Sequence, residues 1–257
     1  MKCVAPFRNV TKAMMILLTV VGSEAAAQET KSRPQAAASG RVAFLKAFII
    51  DDRLSALRRE PSLHSEVVRR LHLGRSVYII RGSTREHFHR VAVSRRTRGW
   101  IHESALAIQG RVGEDQRIMN LVETSADKTN SDVLDRITLC RTLIEHFSSR
   151  LVPRALLHIG EEADRAAETL SQRAKKRLQE TGREDSNISS RVYYLSDSGL
   201  DRYSRLRILF DFNESTSEYV YDGDAYREIV RRFPDTEQAK VARERLEAVK
   251  QKLARRQ

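Results

Sequence analysis

The sequence predicts a β-then-α protein, a small β-barrel followed by an all-α region of helical hairpins. Three observations carry this. Between about Phe44 and Ile108 the apolar runs are short, rich in Val and Ile, and punctuated by Gly74, Gly82 and Gly99, which is the pattern of short strands and turns. Beyond Gly110–Gly113 apolar residues instead recur every three or four positions over long stretches, as helices require. The charge also divides at that point: Arg41–Gly110 holds 14 basic and 6 acidic residues, whereas Arg111–Gln257 holds 27 and 26.

The 257 residues carry 46 Lys plus Arg against 34 Asp plus Glu, with two Cys and one Trp. Such charge density excludes a multi-span membrane protein, and so few cysteines exclude a disulfide-stapled scaffold or a zinc ribbon. Residues 1–27 read as a secretory signal peptide. Lys2, Arg8 and Lys12 precede a short apolar run, Ala13–Gly22, and Ser23–Ala27 ends in small residues. The apolar run is about half the ~20 residues of a membrane-spanning helix, so no stable span is expected after cleavage. Export to the periplasm or cell envelope is the expected localisation. Cleavage after Ala27 leaves Cys140 as the only thiol, so packing alone must stabilise the chain. Residues 28–40 (QETKSRPQAAASG) read as a flexible leader.

Residues 41–110 form the predicted barrel. Glu66–Leu71, Ser76–Arg81 and His87–Val93 each suit a strand, and about five strands at ten-residue spacing predict a closed small barrel. The strings LSALRREPS (Leu54–Ser62), SEVVRRLHLG (Ser65–Gly74), VYII (Val77–Ile80), FHRV (Phe88–Val91) and RGWIH (Arg98–His102) follow in order. This region resembles the bacterial SH3-like domain of exported, cell-wall-associated proteins, with Gly99-Trp100 as its best single marker. Glu60 stands where a Gly commonly precedes Pro61, and Phe88 where Trp is commoner. The resemblance implies a binding module whose targets are peptidoglycan and its peptide stems.

The residues themselves point the same way. Period-2 geometry puts Val91 and Val93 on one strand face and Phe88 and Arg90 on the other. With the valines in the core, Phe88 is expected as a partly exposed aromatic beside Arg85 and Arg90. Arg95, Arg96 and Arg98 follow on the adjoining hairpin, which leads to Trp100. Arginine pairs bidentately with carboxylate and phosphate. The candidate ligand-binding set is therefore Arg58, Arg85, Phe88, Arg90, Arg95, Arg96, Arg98 and Trp100, and the ligand an acidic polymer or peptide. The competing reading has both aromatics filling the core beneath a solvated arginine face. His87 and His89 form an H-x-H pair on the same predicted strand, but no third ligand has metal-site spacing, so no metal is expected.

Residues 111–257 form the predicted helical region. Val133, Ile137, Cys140, Ile144 and Phe147 make one stripe; Val152, Leu156, Ile159, Ala163, Ala166 and Leu170 make a second; Ala239, Ala242, Leu246, Val249 and Leu253 make a third. Residues 131–180 and 222–256 read as related hairpins, with Leu143, Ile144 and Phe147 matching Ile229, Val230 and Phe233. The run Ala225–Leu246 (AYREIVRRFPDTEQAKVARERL) resembles the helix-turn-helix of exported tetratricopeptide-like proteins, which implies a protein partner. Gly182–Ser190 reads as a loop. Tyr193, Tyr194, Tyr203, Phe210, Phe212, Tyr219, Tyr221 and Tyr226 concentrate the aromatics, read as core and inter-helix packing.

Catalysis finds little support. Cys140 sits on an apolar stripe, where inert thiols are common, and His146 faces elsewhere on its helix. Glu161, Glu162 and Glu168 read as surface charge paired with Arg165 and Arg173. No HExxH, GxSxG, P-loop or dinucleotide signature occurs, so neither catalytic residue nor cofactor is expected. The export signal argues against nucleic acid as the partner of the basic segment. The sequence thus predicts a non-catalytic envelope adaptor, with a cell-wall hydrolase whose site lies in the helical segment as the alternative.

Overall fold

Phe44–Ile49 alternates in a way that determines the architecture. Ala47 and Ile49 pack with Leu57, Leu71, Val77, Ile79, Val91 and Ile101, whereas Phe48, with Ile50 beyond the strand, packs among helical residues. The first strand is therefore buried on both faces, and it joins the sheet to the helices. The structure is a computed structural model and describes residues 44–126, 133–180 and 199–254. The signal peptide, the leader, the 182–190 loop, Tyr193 and Tyr194 lie outside the described residues.

Seven antiparallel strands make the first sheet: β1 (Phe44–Ile49), β2 (Ala56–Arg58), β3 (Val67–Arg70), β4 (Ser76–Arg85), β5 (Phe88–Ala92), β6 (Arg98–His102) and β7 (Leu106–Ile108). A single 3₁₀ turn, Glu103–Ala105, separates the last two. The strand order is β3-β2-β6-β5-β4-β1-β7. The expected closed barrel is corrected here: the sheet curls around its apolar core but stays open, with β3 and β7 as edges. The residues explain why. All four residues of β3 (VVRR) are exposed, so that edge has no apolar stripe with which to seal the far side. At the other end Arg117 donates to the carbonyls of Ser104 and Leu106, at 2.5 and 2.9 Å, at the start of β7.

Among the described residues, six helices follow or flank a second sheet: α1 (Glu114–Ala126), α2 (Val133–His146), α3 (Val152–Glu180), α4 (Leu200–Ser204), α5 (Asp224–Arg232) and α6 (Glu237–Ala254). Helices α2 and α3 form one hairpin and α5 and α6 another. The stripe residues Ile137, Cys140, Val152, Leu156, Ile159, Ala163, Ala239 and Ala242 are buried in one cluster with Phe48, Ile50 and Ala107 from the sheet. Thr236 begins α6, its hydroxyl accepting the Ala239 N–H at 3.3 Å as an N-cap does. None of the described helices is long and apolar enough to cross a membrane.

Two further expectations are corrected. The region after residue 110 is not all-α: β8 (Phe210–Asn213) and β9 (Glu218–Tyr221) pair as an antiparallel hairpin. Four of the clustered aromatics, Phe210, Phe212, Tyr219 and Tyr221, are therefore on strands, and Phe212 and Tyr219 pack on Ala167, Leu170 and Ala174 of α3. Glu162 is likewise not surface charge. It is 2% exposed and accepts two bonds from Arg136 of α2, at 2.9 and 2.6 Å, with Arg165 as a further partner.

Candidate functional site

The strand register builds the candidate site. Residues directly opposite each other on neighbouring strands share a face of the sheet. Val67 pairs with Arg58, Arg58 with Trp100, and Trp100 with Arg90, which sets Trp100 in one row between two arginines. Arg85 completes the surround, its guanidinium carbon 5.9 Å from the indole centroid. The next row on this face runs Arg98, Ala92, Tyr78, Lys46. Neither row contains an Asp or a Glu.

Local packing holds this arrangement. Gly99 turns toward the core, and a Cβ there would lie 2.7 Å from both the Arg58 carbonyl oxygen and Leu57 Cγ. The missing side chain lets β2 approach β6, which places Arg58 beside Trp100. Arg58 Nη1 donates to the Ser65 carbonyl at 2.7 Å, fixing its guanidinium. Lys46 Nζ stands 5.0 Å over the Phe48 ring. Tyr78 is 45% exposed and meets Phe44 edge-on at 6.5 Å.

Of the sequence-derived set, Arg58, Arg85, Arg90, Arg98 and Trp100 come together on this face. Phe88 does not act as the exposed aromatic expected of it. It lies on the expected side of β5, but it is only 4% exposed, with the His102 ring edge-on at 5.2 Å. Trp100 takes that place. Arg95 and Arg96 are exposed at the tip of the β5–β6 hairpin, off the two rows, where Ser94 Oγ accepts the N–H groups of Arg96 and Thr97. Sequence reasoning missed Lys46, Tyr78 and Val67. The signal for Tyr78 was present, because it alternates with Val77 and Ile79, both buried.

The histidines occupy one end of the sheet. Glu86 and His87 have φ of 45° and 66° and form the turn between β4 and β5, so the H-x-H pair does not share a strand as expected. His87 Nδ1 lies 2.7 Å from Glu103 Oε1, and His89 Nδ1 lies 3.0 Å from Thr84 Oγ1. The bond to His87 holds the Glu103 carboxyl below its usual range. Burial lowers the His89 pKa, against the opposing pull of Glu103. Among the described residues no group of three or more His, Cys, Asp or Glu is placed to hold a metal. Cys140 is 1% exposed; burial, with the Glu162 charge second, pushes its thiol up.

A second concavity of about 730 Å³ lies between α3, β9 and α6. Its walls mix charges: Glu161, Asp164 and Glu168 face a lining that includes Arg165, Lys175 and Arg245. Comparison with protein-family models, with curated proteins and with solved structures gives no match to this chain.

Proposed function

We propose that the protein is a non-catalytic, exported envelope adaptor. Its SH3-like sheet binds a carboxylate-rich cell-wall polymer or acidic peptide, and its tetratricopeptide-like hairpins hold a protein partner. The observation that carries this reading is the row Arg58–Trp100–Arg90 with Arg85 against the indole. Guanidinium groups pair with carboxylates through two parallel bonds. A flat aromatic surface between them packs against the apolar body of a sugar or peptide. The acid-free rows leave an anion no repulsive neighbour of its own charge within them.

Co-sedimentation of the purified protein with isolated peptidoglycan sacculi, over a range of salt, tests the reading. Saturable binding is expected, weakened about 10- to 30-fold or more by Trp100→Ala, the size of effect of a buried aromatic anchor. Arg95→Ala/Arg96→Ala is expected to weaken it far less and chiefly at low salt. No sedimentation at all, or sedimentation indifferent to Trp100, overturns the reading. Release of soluble muropeptides during the incubation would favour the hydrolase instead.

A further inference from the structure

The β3–β4 turn, helix α2 and the segment after α4 enclose a cavity of about 240 Å³ on the side of the molecule where sheet meets helices. Three arginines line it, Arg141 from α2 and Arg205 and Arg207 from the segment following α4, against one carboxylate, Glu145. None of the three has a salt bridge among the described residues, and Glu145 itself lies 4.0 Å only from His146. Arg141 is the telling member. Among the described residues its Nε is buried with no hydrogen-bond partner, and its Nη2 reaches the Arg207 carbonyl at 3.4 Å. Arg207 holds that carbonyl in place from a left-handed backbone, φ 56°, that a branched or long side chain adopts at a cost. On the opposite wall Gly74, φ 73°, packs so closely on α2 that a Cβ would lie 2.9 Å from Thr138 Cγ2.

A buried guanidinium nitrogen without an acceptor among the described residues, in a pocket that two exposed arginines without salt bridges also line, makes a site of positive charge. We propose that this cavity binds a phosphate dianion, either free phosphate or a terminal phosphate monoester. Three positive charges against one negative match a dianion rather than a singly charged diester. The ordinary second ionisation of a phosphate monoester, near pH 6, makes it a dianion at neutral pH. The pocket lining contains neither Trp100 nor the arginines around it, and the proposal does not depend on the adaptor reading.

The test is thermal unfolding of the full chain in inorganic phosphate, methyl phosphate or dimethyl phosphate, against chloride at matched ionic strength. Phosphate and methyl phosphate are expected to raise Tm saturably, by about 2 °C or more at a concentration well above Kd. Dimethyl phosphate is expected to leave it unchanged. Arg205→Gln/Arg207→Gln, two exposed positions that leave the core intact, is expected to abolish the rise, as is Arg141→Gln. In Trp100→Ala the rise should persist. A rise with phosphate but not methyl phosphate would support the free ion as occupant. The proposal is overturned by no phosphate-specific rise, by a rise that survives the arginine variants, by loss of the rise in Trp100→Ala, or by an equal response to dimethyl phosphate.

Discussion

Trp100 stands where it does because of its neighbour. Gly99 removes a side chain that would strike Leu57 and the Arg58 backbone, and only then can β2 lie beside β6 with Arg58 in register. Gly99→Val is expected to destabilise the fold by about 1–3 kcal/mol through overpacking, measured by urea denaturation, and to weaken sacculus binding as Arg58 is displaced. The buried Arg136–Glu162 pair makes a second residue-scale prediction. Arg136→Ala leaves the Glu162 carboxylate, 2% exposed, with Arg165 as its remaining ion-pair partner, and its cost is expected to be up to about 3 kcal/mol, whereas Arg136→Met/Glu162→Leu costs less than either single change. A third concerns pH. Burial lowers the pKa of both His89 and His146, the latter stacked parallel on Phe48 at 4.1 Å with Lys46 as its second depressing influence. Below the ordinary histidine pKa of about 6.5 the unfolded chain therefore takes up protons that the folded chain resists. Stability should fall as pH drops from about 6.5 through the lower folded-state values. His89→Gln/His146→Gln should shrink the fall in urea midpoint between about pH 7.5 and 5.5; an unchanged fall would contradict the assignment. The depressed carboxyls, Glu103 and Glu218, act in a separate window: their contribution is present above the ordinary carboxylate pKa and lost at still lower pH.

At the scale of elements, helix approach depends on Gly160. A Cβ there would lie 2.3 Å from Tyr226 Cε1, and Tyr226 in turn donates to Asp164 Oδ2 at 2.7 Å, so α3 and α5 are joined by a close crossing and a hydrogen bond. Gly160→Ala is expected to cost about 1–3 kcal/mol, and a neutral outcome in denaturation would show that the crossing relaxes freely. The helical stripes were legible because a 3.6-residue period depends on one buried face, and Val152, Leu156, Ile159, Ala163, Ala166 and Leu170 are all buried. Strands β3, β4 and β5 were legible from their β-branched runs and glycine stops. The β8–β9 hairpin is hard to read from sequence because only FDFN alternates apolar with polar residues, whereas EYVY is buried at three consecutive positions, a short apolar run that a helix shares. Phe88 shows a harder limit. Period-2 alternation assigns a side chain to a face, and does not show whether another group covers it; His102, fourteen positions away, covers this one. Glu162 failed for the same reason, since its partner Arg136 is 26 positions away on another helix.

For the whole molecule, the described residues fall in one compact unit, and Phe48, Ile50 and Ala107 belong to the helical core rather than the sheet's own. A fragment ending at Gly110 would expose these side chains. It is expected to bind a hydrophobic dye and to melt well below the intact chain; a fragment as stable as the whole would show that the sheet is self-sufficient. The charge asymmetry also acts at this scale, because Arg58, Arg85, Arg90, Arg98 and Lys46 of the basic first segment share one sheet face with Trp100. Trp100 is the only tryptophan in the chain, so intrinsic fluorescence reads the proposed site without a label. The most direct measurement is a titration of the protein with soluble, carboxylate-bearing peptidoglycan fragments, followed by tryptophan emission, with neutral glycan as control. A saturable emission change that Arg58→Gln/Arg90→Gln removes is the expected result. Emission unchanged at saturating fragment, or an equal change with neutral glycan, would contradict a role for this face in binding acidic wall material.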